Sequence, residues 1–335
     1  MIGMPRTVAI EITSRCNHKC FFCSCPWEAS SRAANVQTNN TAQHSELSKV
    51  EWKKAISHLY KYGTGHISFT GGEPTLRKDL TELIAHAHKV GFTLGLVTNG
   101  LALTDEILAA CKKYEVLVSI SVPGIETFEK NTGVDNLDGV LNLFAKCKDL
   151  GIKTVANIAV SKRNFYELYE NISYPILRGA SYILLNRFLP GGRGLDNAEL
   201  LLTIDEINTM LDIAEEVLER AGLNGHVGTE LPYCIIKNPD KYKRLQTAST
   251  CAAAKGFFVI DPDGYIKTCN HSPVRVAKWN QIDTLKNNVY WQRFVKRDYF
   301  PSMCNGCKHT DICDGGCREA AHVYYGSIDN NDPCF

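Results

Sequence analysis

The sequence predicts an α/β fold, a partial (β/α)6 barrel of the TIM type followed by a small cysteine-rich C-terminal domain. From about residue 7 to 222, apolar or β-branched runs alternate with amphipathic stretches, which indicates parallel strands joined by right-handed crossovers. After about residue 225 the pattern changes to hairpins and glycine-rich turns. Most of the 14 cysteines gather near the two ends of the chain. A doubly wound open sheet is the alternative that the same alternation allows.

The predicted barrel is a regular succession of strands and helices. Strands are predicted at 7–12, 66–69, 92–97, 116–121, 153–160 and 181–188. Helices are predicted between most of them at 46–62, 78–90, 104–114, 136–150 and 164–178. A further amphipathic helix follows the sixth strand, with Thr203 as its N-cap and Glu206 at the position that completes a capping box.

The C-terminal part begins with a β-hairpin over residues 256–270, which turns at Asp261-Pro262-Asp263-Gly264. A helical stretch near 282–297 and a cysteine-dense, glycine-rich tail follow it. We therefore expect two domains, one over residues 1–225 and one over residues 226–335. The polar segment 24–45 interrupts the barrel pattern, and it is either a flexible insertion or a lid over the substrate.

Composition and charge exclude several classes of protein. The formal net charge is +1, so no global field attracts the chain to nucleic acid or to an anionic membrane. No apolar run approaches the ~18 residues of a transmembrane helix, and the N-terminus lacks the apolar core of a signal peptide. The sequence therefore predicts a cytoplasmic protein that binds neither nucleic acid nor membrane. In a reducing compartment, many cysteines indicate metal ligation rather than disulfides.

The first cysteine group follows directly on the first predicted strand. Its spacing, Cys16-x3-Cys20-x2-Cys23, suits three thiolates that ligate three irons of a [4Fe–4S] cube. The fourth iron then has no protein ligand and can bind a small molecule. A zinc site is the alternative, but structural zinc takes four protein ligands and His18 is an awkward fourth because it lies inside the loop.

Polar or glycine-rich residues follow the predicted strands, where barrels collect their active sites. Each such turn is a weak signal alone, because Gly-Gly and Asn-Gly are common turn formers. Their presence at every strand end indicates one shared site, in which glycines let the backbone approach a ligand closely. The candidates are Gly71, Gly72, Glu73, Pro74, Asn99, Ser119, Ser121, Asn157 and Arg187.

At these residues the sequence resembles the radical S-adenosylmethionine (radical SAM) superfamily. It carries C-x3-C-x-aromatic-C, with Phe22 as the aromatic residue, and then the segment Gly71-Gly72-Glu73-Pro74. The resemblance implies that a catalytic [4Fe–4S] cluster on Cys16, Cys20 and Cys23 chelates SAM through its open iron. Reductive cleavage of SAM then yields a 5′-deoxyadenosyl radical that abstracts hydrogen from the substrate.

The resemblance also implies which residues contact SAM. Those expected at its amino group are Gly71, Gly72 and Glu73. Those expected near its ribose and carboxylate are Ser119, Ser121 and Asn157, and the further expected contacts are Phe22, Pro74, Asn99 and Arg187. The sequence departs from the family at one point, because the fourth strand of related enzymes often reads S-x-D-G and here Ser121 replaces the acid.

The C-terminal cysteines resemble the seven-cysteine pattern of SPASM domains, which extend many radical SAM enzymes. The resemblance implies two auxiliary [4Fe–4S] clusters, with Cys234 as the candidate fourth ligand of the nearer one. The implied ligands of the distal cluster are Cys304, Cys307, Cys313 and Cys334, and those of the nearer cluster are Cys251, Cys269 and Cys317. A pair of zinc knuckles would explain this tail by itself, but not the tail together with the N-terminal triad.

The remaining cysteines and His271 have simpler expected roles. Cys111 and Cys147 fall in amphipathic helices, where buried packing is the default. Cys25 lies two residues past the triad and is either a bystander or a residue that faces the substrate. For His271 a structural role is expected.

The resemblance implies a substrate class, because SPASM enzymes mostly modify peptides or proteins. We expect a ribosomally made peptide and a C–C or thioether cross-link. Sulfatase-maturing members usually carry an aspartate base directly after the second hairpin cysteine, whereas this chain has Asn270, which cannot accept a proton in that role. The alternatives are a dehydrogenase or epimerase of a sugar, cyclitol or other small molecule and, outside catalysis, a metal-binding scaffold.

Two partners are expected besides the substrate. Only about six residues precede the first predicted strand, so a peptide leader would be recognised by a separate carrier protein or by other surfaces. A flavodoxin- or ferredoxin-type protein is the expected reductant.

Overall fold

A computed structural model describes residues 3–27 and 45–335 and confirms the α/β fold class and the partial barrel. Most of the predicted lid or insertion at 24–45 lies outside the described residues. The strands are β1 (Thr7–Glu11), β2 (His66–Thr70), β3 (Thr93–Thr98), β4 (Leu117–Ser121), β5 (Thr154–Val160), β6 (Tyr182–Arg187), β7 (Gly225–Val227), β8 (Leu245–Gln246), β9 (Phe257–Ile260), β10 (Tyr265–Lys267) and β11 (Ala277–Lys278).

Helices connect the strands of the barrel and cover its outer face. They are α1 (Lys49–Lys61), α2 (Leu80–Val90), α3 (Asp105–Lys113), α4 (Phe128–Thr132), α5 (Leu137–Asp149), α6 (Leu168–Leu177), α7 (Ile204–Ala221), α8 (Val289–Lys296) and α9 (Arg318–Tyr325). The predicted capping box of α7 is present, with Thr203 and Glu206 each accepting from the other's backbone.

One sheet runs through the whole described chain in the order β11-β10-β9-β1-β2-β3-β4-β5-β6-β7-β8. The strands from β9 through β1 to β8 are parallel to their neighbours, as the alternation of strands and helices predicts. Thr7 of β1 pairs with His66 on one side and with Phe257 on the other. The C-terminal part therefore extends the barrel sheet directly, and the division at residue 225 stays a prediction.

The two faces of this sheet have opposite characters, because successive strand residues point to opposite sides. On the outer face Val8, Ile10 and Phe69 are fully buried in one apolar cluster that includes Trp52 of α1. The inner face carries small or polar residues, such as Ser68, that line a cavity. The apolar core thus lies between the sheet and its helices, while the barrel interior is left open for a ligand.

Two predicted helices are divided in the structure. The stretch predicted at 164–178 begins with a 3-10 turn, Phe165–Glu167, before α6. The stretch predicted near 282–297 is broken at Asn288, whose side chain accepts the backbone N–H of Trp291 and caps α8. Capping requires a non-helical backbone at that residue, which accounts for the break.

Several elements were not anticipated from the sequence, namely α4, β7, β8, β11 and α9. The short strands β7 and β8 lengthen the sheet beyond β6, and α9 begins directly after Cys317. Within the described ranges, no helix is both long and apolar enough to traverse a lipid bilayer.

Candidate functional site

The three N-terminal cysteines lie on the loop that leaves the carboxyl end of β1. Two backbone hydrogen bonds hold this loop against the one after β2: Gly72 donates to the carbonyl of Thr13 (2.8 Å) and Glu73 to that of Arg15 (2.8 Å). Burial raises the pKa of the Cys20 thiol, and the nearby thiols of Cys23 and Cys16 raise it further. The structure therefore brings the predicted triad together at the edge of the sheet where a barrel places its site.

Gly71 and Gly72 are required by the closeness of these two loops. Gly71 has a φ of +136°, which disfavours any residue with a Cβ. A Cβ on Gly71 would lie 2.4 Å from the carbonyl oxygen of Thr13, and a Cβ on Gly72 would lie 2.2 Å from that of Arg15. The glycines thus position the cysteine loop, in addition to leaving backbone exposed toward a ligand.

Glu73 is buried, and both of its carboxylate oxygens are already occupied. Oε1 accepts from the hydroxyls of Thr75 (2.6 Å) and Thr98 (2.7 Å), and Oε2 accepts from the backbone N–H of Asn99 (2.7 Å). The carboxylate therefore joins the loops after β2 and β3. The backbone carbonyl of Gly71 accepts from the Cys25 thiol (3.8 Å), and both residues line the cavity beside the triad.

A cavity of about 160 Å³ adjoins the triad. Asn99 enters it from the loop after β3, and its side-chain nitrogen donates to Asn17 (2.7 Å) and lies 3.9 Å from the Cys16 sulfur. The buried Pro74 begins a 3-10 turn behind this cavity. The lining includes Cys16, Cys20, Cys23, Phe22, Gly71, Gly72, Glu73, Asn99 and Ser121. Six predicted SAM contacts thus share one small space with the triad.

Ser119, Ser121 and Asn157 lie on the inner side of the barrel. Ser121 pairs in register with Asn157 of the next strand, and both line the larger cavity described below. The carbonyl oxygen of the Asn157 side chain accepts from Asn186 (2.8 Å). The buried Ser119 hydroxyl has no hydrogen-bond partner among the residues that the structure describes. Such a group has unused hydrogen-bonding capacity for a ligand.

A second cavity of about 650 Å³ fills the barrel interior and continues from the first. The two share Phe22, Cys25, Gly71 and Ser121 in their linings. At its other side the larger cavity is lined by C-terminal thiols, namely Cys251, Cys269 and Cys317. The volume falls in the range of ligand sites, which is about 300–1,000 Å³. A substrate in this cavity would lie between the N-terminal triad and the C-terminal cysteines.

The C-terminal cysteines fall into two neighbourhoods. Burial raises the pKa of Cys269, to which the nearby thiols of Cys317 and Cys251 contribute. Burial likewise raises the pKa of Cys304, and the nearby thiols of Cys313, Cys307 and Cys234 raise it further. The structure thus places the three cysteines of the implied nearer set close together. It also places three of the implied distal cysteines, Cys304, Cys307 and Cys313, close together.

Cys234 does not lie beside the nearer cysteine set, for which it was the candidate ligand. Cys234 neighbours Cys313 and Cys307, the distal thiols, rather than the nearer set for which it was the candidate. The 3-10 turn Tyr233–Ile235 places it there, since the N–H of Tyr233 donates to the Cys313 sulfur (3.3 Å). Burial raises the pKa of the Cys334 thiol, as does the nearby Asp332 carboxylate, and its place in the distal set stays a prediction.

The donor chemistry of these groups fits iron–sulfur clusters better than it fits a single ion. All 14 cysteines are thiols in the structure. Within residues 3–27 and 45–335, no group of three or more His, Cys, Asp and Glu side chains is arranged to hold one metal ion. Thiolates around a cube each bind a different iron, so they surround a larger body than one ion.

Two buried aspartates that the sequence analysis missed tie the two cysteine neighbourhoods together. Asp314 follows Cys313 and accepts the backbone N–H of Cys251 (2.6 Å). Asp332 accepts the backbone N–H groups of Cys317 (2.7 Å) and Cys334 (3.0 Å). Buried or partly buried cations pair with both carboxylates. Through these backbone hydrogen bonds, each aspartate holds cysteine segments that are distant in sequence. No local sequence signal reveals such contacts.

The guanidinium of Arg187 is directed at the C-terminal part, and its expected contact with SAM stays a prediction. It forms a two-bond pair with the carboxylate of Asp332 (2.8 and 2.6 Å) and donates to the carbonyl of Glu230 (2.7 Å). Although burial opposes ionisation, the guanidinium lowers the pKa of Asp332. Arg187 therefore joins β6 to the cysteine-rich tail.

We expect Arg187→Met to lower the free energy of unfolding by about 3 to 5 kcal/mol, because it leaves the buried Asp332 carboxylate without its partner. Anaerobic urea titration followed by circular dichroism measures this change. Lys146→Met is the matched control, since it breaks an exposed pair with Asp105 and should give no resolvable change. Equal stability of the two variants would contradict the structural role of the buried pair.

The other singled-out residues have clear environments. Cys111 and Cys147 are fully buried in the apolar core, as predicted for packing residues. Cys25 lines both cavities, so of its two expected roles the position favours facing the substrate. His271 also lines the larger cavity, and its ring nitrogen Nε2 lies 2.7 Å from the carbonyl oxygen of Pro190.

The fold and the site together define an enzyme of the barrel type, with a thiol triad at the carboxyl ends of its parallel strands and a hollow interior. Residues 10–170 match the Radical SAM superfamily. This match includes the thiol triad and the strands around it, and it agrees with the resemblance found in the sequence.

Comparisons with known proteins extend over nearly the full chain. PqqA peptide cyclase of Bradyrhizobium diazoefficiens is 28% identical over 349 aligned residues, which cover 99% of this chain and 86% of that protein. The crystal structure of Streptococcus suis SuiB bound to precursor peptide SuiA has a TM-score of 0.77 at 15% identity, over 99% of this chain and 76% of that one. Native anSMEcpe with bound AdoMet has a TM-score of 0.74 at 18% identity, over 98% and 94%. These structural likenesses support the fold.

Proposed function

We propose that this enzyme abstracts a hydrogen atom from a ribosomally made peptide and forms a C–C or thioether cross-link in it. The observation that carries the proposal is the 650 Å³ cavity between the N-terminal triad and the C-terminal thiols. The names of similar proteins support the substrate class, since one is a peptide cyclase and another was crystallised with a precursor peptide.

Cys16, Cys20 and Cys23 would hold the catalytic [4Fe–4S] cluster, and SAM would occupy the adjoining small cavity. When bound and reduced, this pair supplies the 5′-deoxyadenosyl radical. The chain's own contribution is to hold and orient SAM. The carbonyl of Gly71 is placed to accept from its amino group, and Ser119, Ser121 and Asn157 offer polar groups from the barrel wall. Asn99 approaches from the loop after β3.

Two auxiliary [4Fe–4S] clusters complete the proposal. The nearer cluster would be held by Cys251, Cys269 and Cys317, which border the substrate cavity. The distal cluster would be held by Cys304, Cys307 and Cys313, with Cys234 and Cys334 as the remaining candidate ligands. Clusters at these positions are suited to accept the electron that a substrate radical releases when it becomes a closed-shell product.

The proposed setting is the cytoplasm, where a flavodoxin- or ferredoxin-type protein would supply electrons. A separate leader-binding protein would present the peptide. The sulfatase-maturing alternative is not favoured, because Asn270 lines the cavity where those relatives have their aspartate.

Candidate short peptides encoded beside the gene provide the test. Incubation with anaerobically reconstituted enzyme, reductant and SAM should give a product two mass units lighter, because a cross-link removes two hydrogens. Mass spectrometry of the peptide and chromatography of 5′-deoxyadenosine measure the two products. Unchanged neighbouring peptides, together with turnover of a sugar or cyclitol, would overturn the peptide proposal.

A further inference from the structure

Glu11 is a buried carboxylate that the sequence analysis did not single out. It is the last residue of β1, five positions before the first triad cysteine, and only 2% of its surface is exposed. It lines the larger cavity. Its Oε2 atom is paired with the ammonium group of Lys267. Burying an ion pair is costly even when its two charges are in contact, so a functional reason is expected.

Two neighbouring side chains hold the Glu11 carboxylate in place. Lys267 places its Nζ atom 2.9 Å from Oε2 and 3.2 Å from Oε1, and the side-chain nitrogen of Asn270 donates to Oε1 at 3.3 Å. Burial raises the pKa of Glu11, while the positive charge of Lys267 opposes that rise. Lys267 does not line the cavity, so the anion faces the interior with its counter-ion behind it.

Glu11 lies between the two chemical centres of the proposed function. Cys25, from the loop of the triad, lines the same cavity and lies near enough to Glu11 for their charges to interact. On the opposite side Asn270 directly follows Cys269, a proposed ligand of the nearer auxiliary cluster. A peptide group placed between the two centres would therefore pass beside Glu11.

Two other carboxylates line this cavity, and their surroundings are different. Glu319 accepts from the hydroxyl of Thr268 on one oxygen and from that of Tyr290 (2.9 Å) on the other. Glu230 accepts the backbone N–H of Ala252 (3.1 Å) and lies near Cys251 and Asp332. Glu319 is thus saturated with hydroxyl donors, and Glu230 belongs to the cysteine-rich tail.

We propose that Glu11 is the catalytic base, which accepts the proton that the peptide loses as its cross-link forms. This inference rests on the proposed function. One C–H hydrogen atom leaves to the 5′-deoxyadenosyl radical, and the carbon radical then bonds to a second group of the peptide. That group releases one proton, which the Glu11 carboxylate takes, and one electron, which passes to an iron–sulfur cluster. The peptide thus loses two hydrogens in all.

Glu11→Gln keeps the size of the side chain and removes the base. The probe is the peptide on which the wild-type enzyme acts, synthesised with deuterium at the reacting carbon. We expect the variant to transfer deuterium to 5′-deoxyadenosine but to form the lighter product at least about 100-fold more slowly, the usual scale for a lost general base. Glu11→Asp should restore part of the rate. Anaerobic calorimetry on the reconstituted enzymes, without reductant, should give equal peptide affinity for wild type and Glu11→Gln.

Glu215→Gln is the matched control, because it removes a buried carboxylate that lines neither cavity and accepts the backbone N–H groups of Lys243 and Leu245. We expect it to form product at close to the wild-type rate. Product formation by Glu11→Gln at the wild-type rate would overturn the proposal, as would a loss confined to peptide binding. If the wild-type enzyme transfers no deuterium from any peptide, the proposed function fails instead. The same variants are then compared on the small molecule that does transfer it, with the same criterion.

Discussion

Joint replacement of Cys16, Cys20 and Cys23 by Ala is expected to abolish 5′-deoxyadenosine formation and to leave most of the auxiliary iron in place. Without these thiols the cluster beside the small cavity has no protein ligands, so SAM has no iron to chelate. The C-terminal thiols are separate from the triad, so the variant keeps the ligands of both auxiliary clusters. We expect about twelve irons per chain in the reconstituted wild-type protein and about eight in the variant.

Iron and sulfide analysis with a chromatographic assay of SAM cleavage measures both parts of this prediction. Joint replacement of Cys111 and Cys147 by Ala is the matched control, because both thiols are buried in the apolar core away from the cavities. The control should retain SAM cleavage and the full iron content. Undiminished cleavage in the triad variant, or stoichiometric zinc in the wild-type protein, would refute the assignment.

Gly72→Ala is expected to reduce SAM cleavage by about 100-fold. The new Cβ would lie 2.2 Å from the carbonyl oxygen of Arg15 and 2.7 Å from that of Ser14, so the cysteine loop must move. The distance is about 1 Å shorter than an ordinary contact, and a displacement of that size at a reacting centre can cost about 100-fold in rate. Single-turnover formation of 5′-deoxyadenosine in excess SAM is the measurement.

Gly65→Ala is the matched control for this substitution. Its Cβ would lie 3.6 Å from the end of the Arg6 side chain, which is ordinary contact. We expect wild-type SAM cleavage and an unchanged iron content for this variant. A Gly72→Ala enzyme that cleaves SAM as well as Gly65→Ala would show that the contact between the two loops does not position the catalytic cluster.

The parts of the site that sequence could predict are those that carry local signals. The triad, the glycine pair and Asn99 occur at strand ends with recognisable spacing, and the structure brings them around one small cavity. The strands themselves follow from their apolar periodicity, since a parallel sheet with a helix-covered face needs it. The order of strands β1 to β6 follows from the short right-handed crossovers that join successive units.

The parts that sequence could not predict depend on contacts between distant segments. Arg187 reads as a polar residue at a strand end, but its partner Asp332 lies in the tail. Glu11 reads as the end of a strand, and only the pairing of β1 with β9 places Lys267 and Asn270 beside it. Cys234 carries no signal that distinguishes one cluster from the other. These relations arise from tertiary packing, which no short pattern encodes.

The position of β1 in the middle of the sheet has a consequence for the biosynthesis of this enzyme. Strand β1 leaves the ribosome long before β9, and it pairs with residues 66–70 and with residues 257–260, so one of its two edges stays open while the nearly 250 residues between β1 and β9 are made. An unpaired apolar strand edge invites association with other chains. We therefore expect the nascent chain to need protection, by a chaperone or by early cluster insertion, until the C-terminal hairpin arrives and closes that edge.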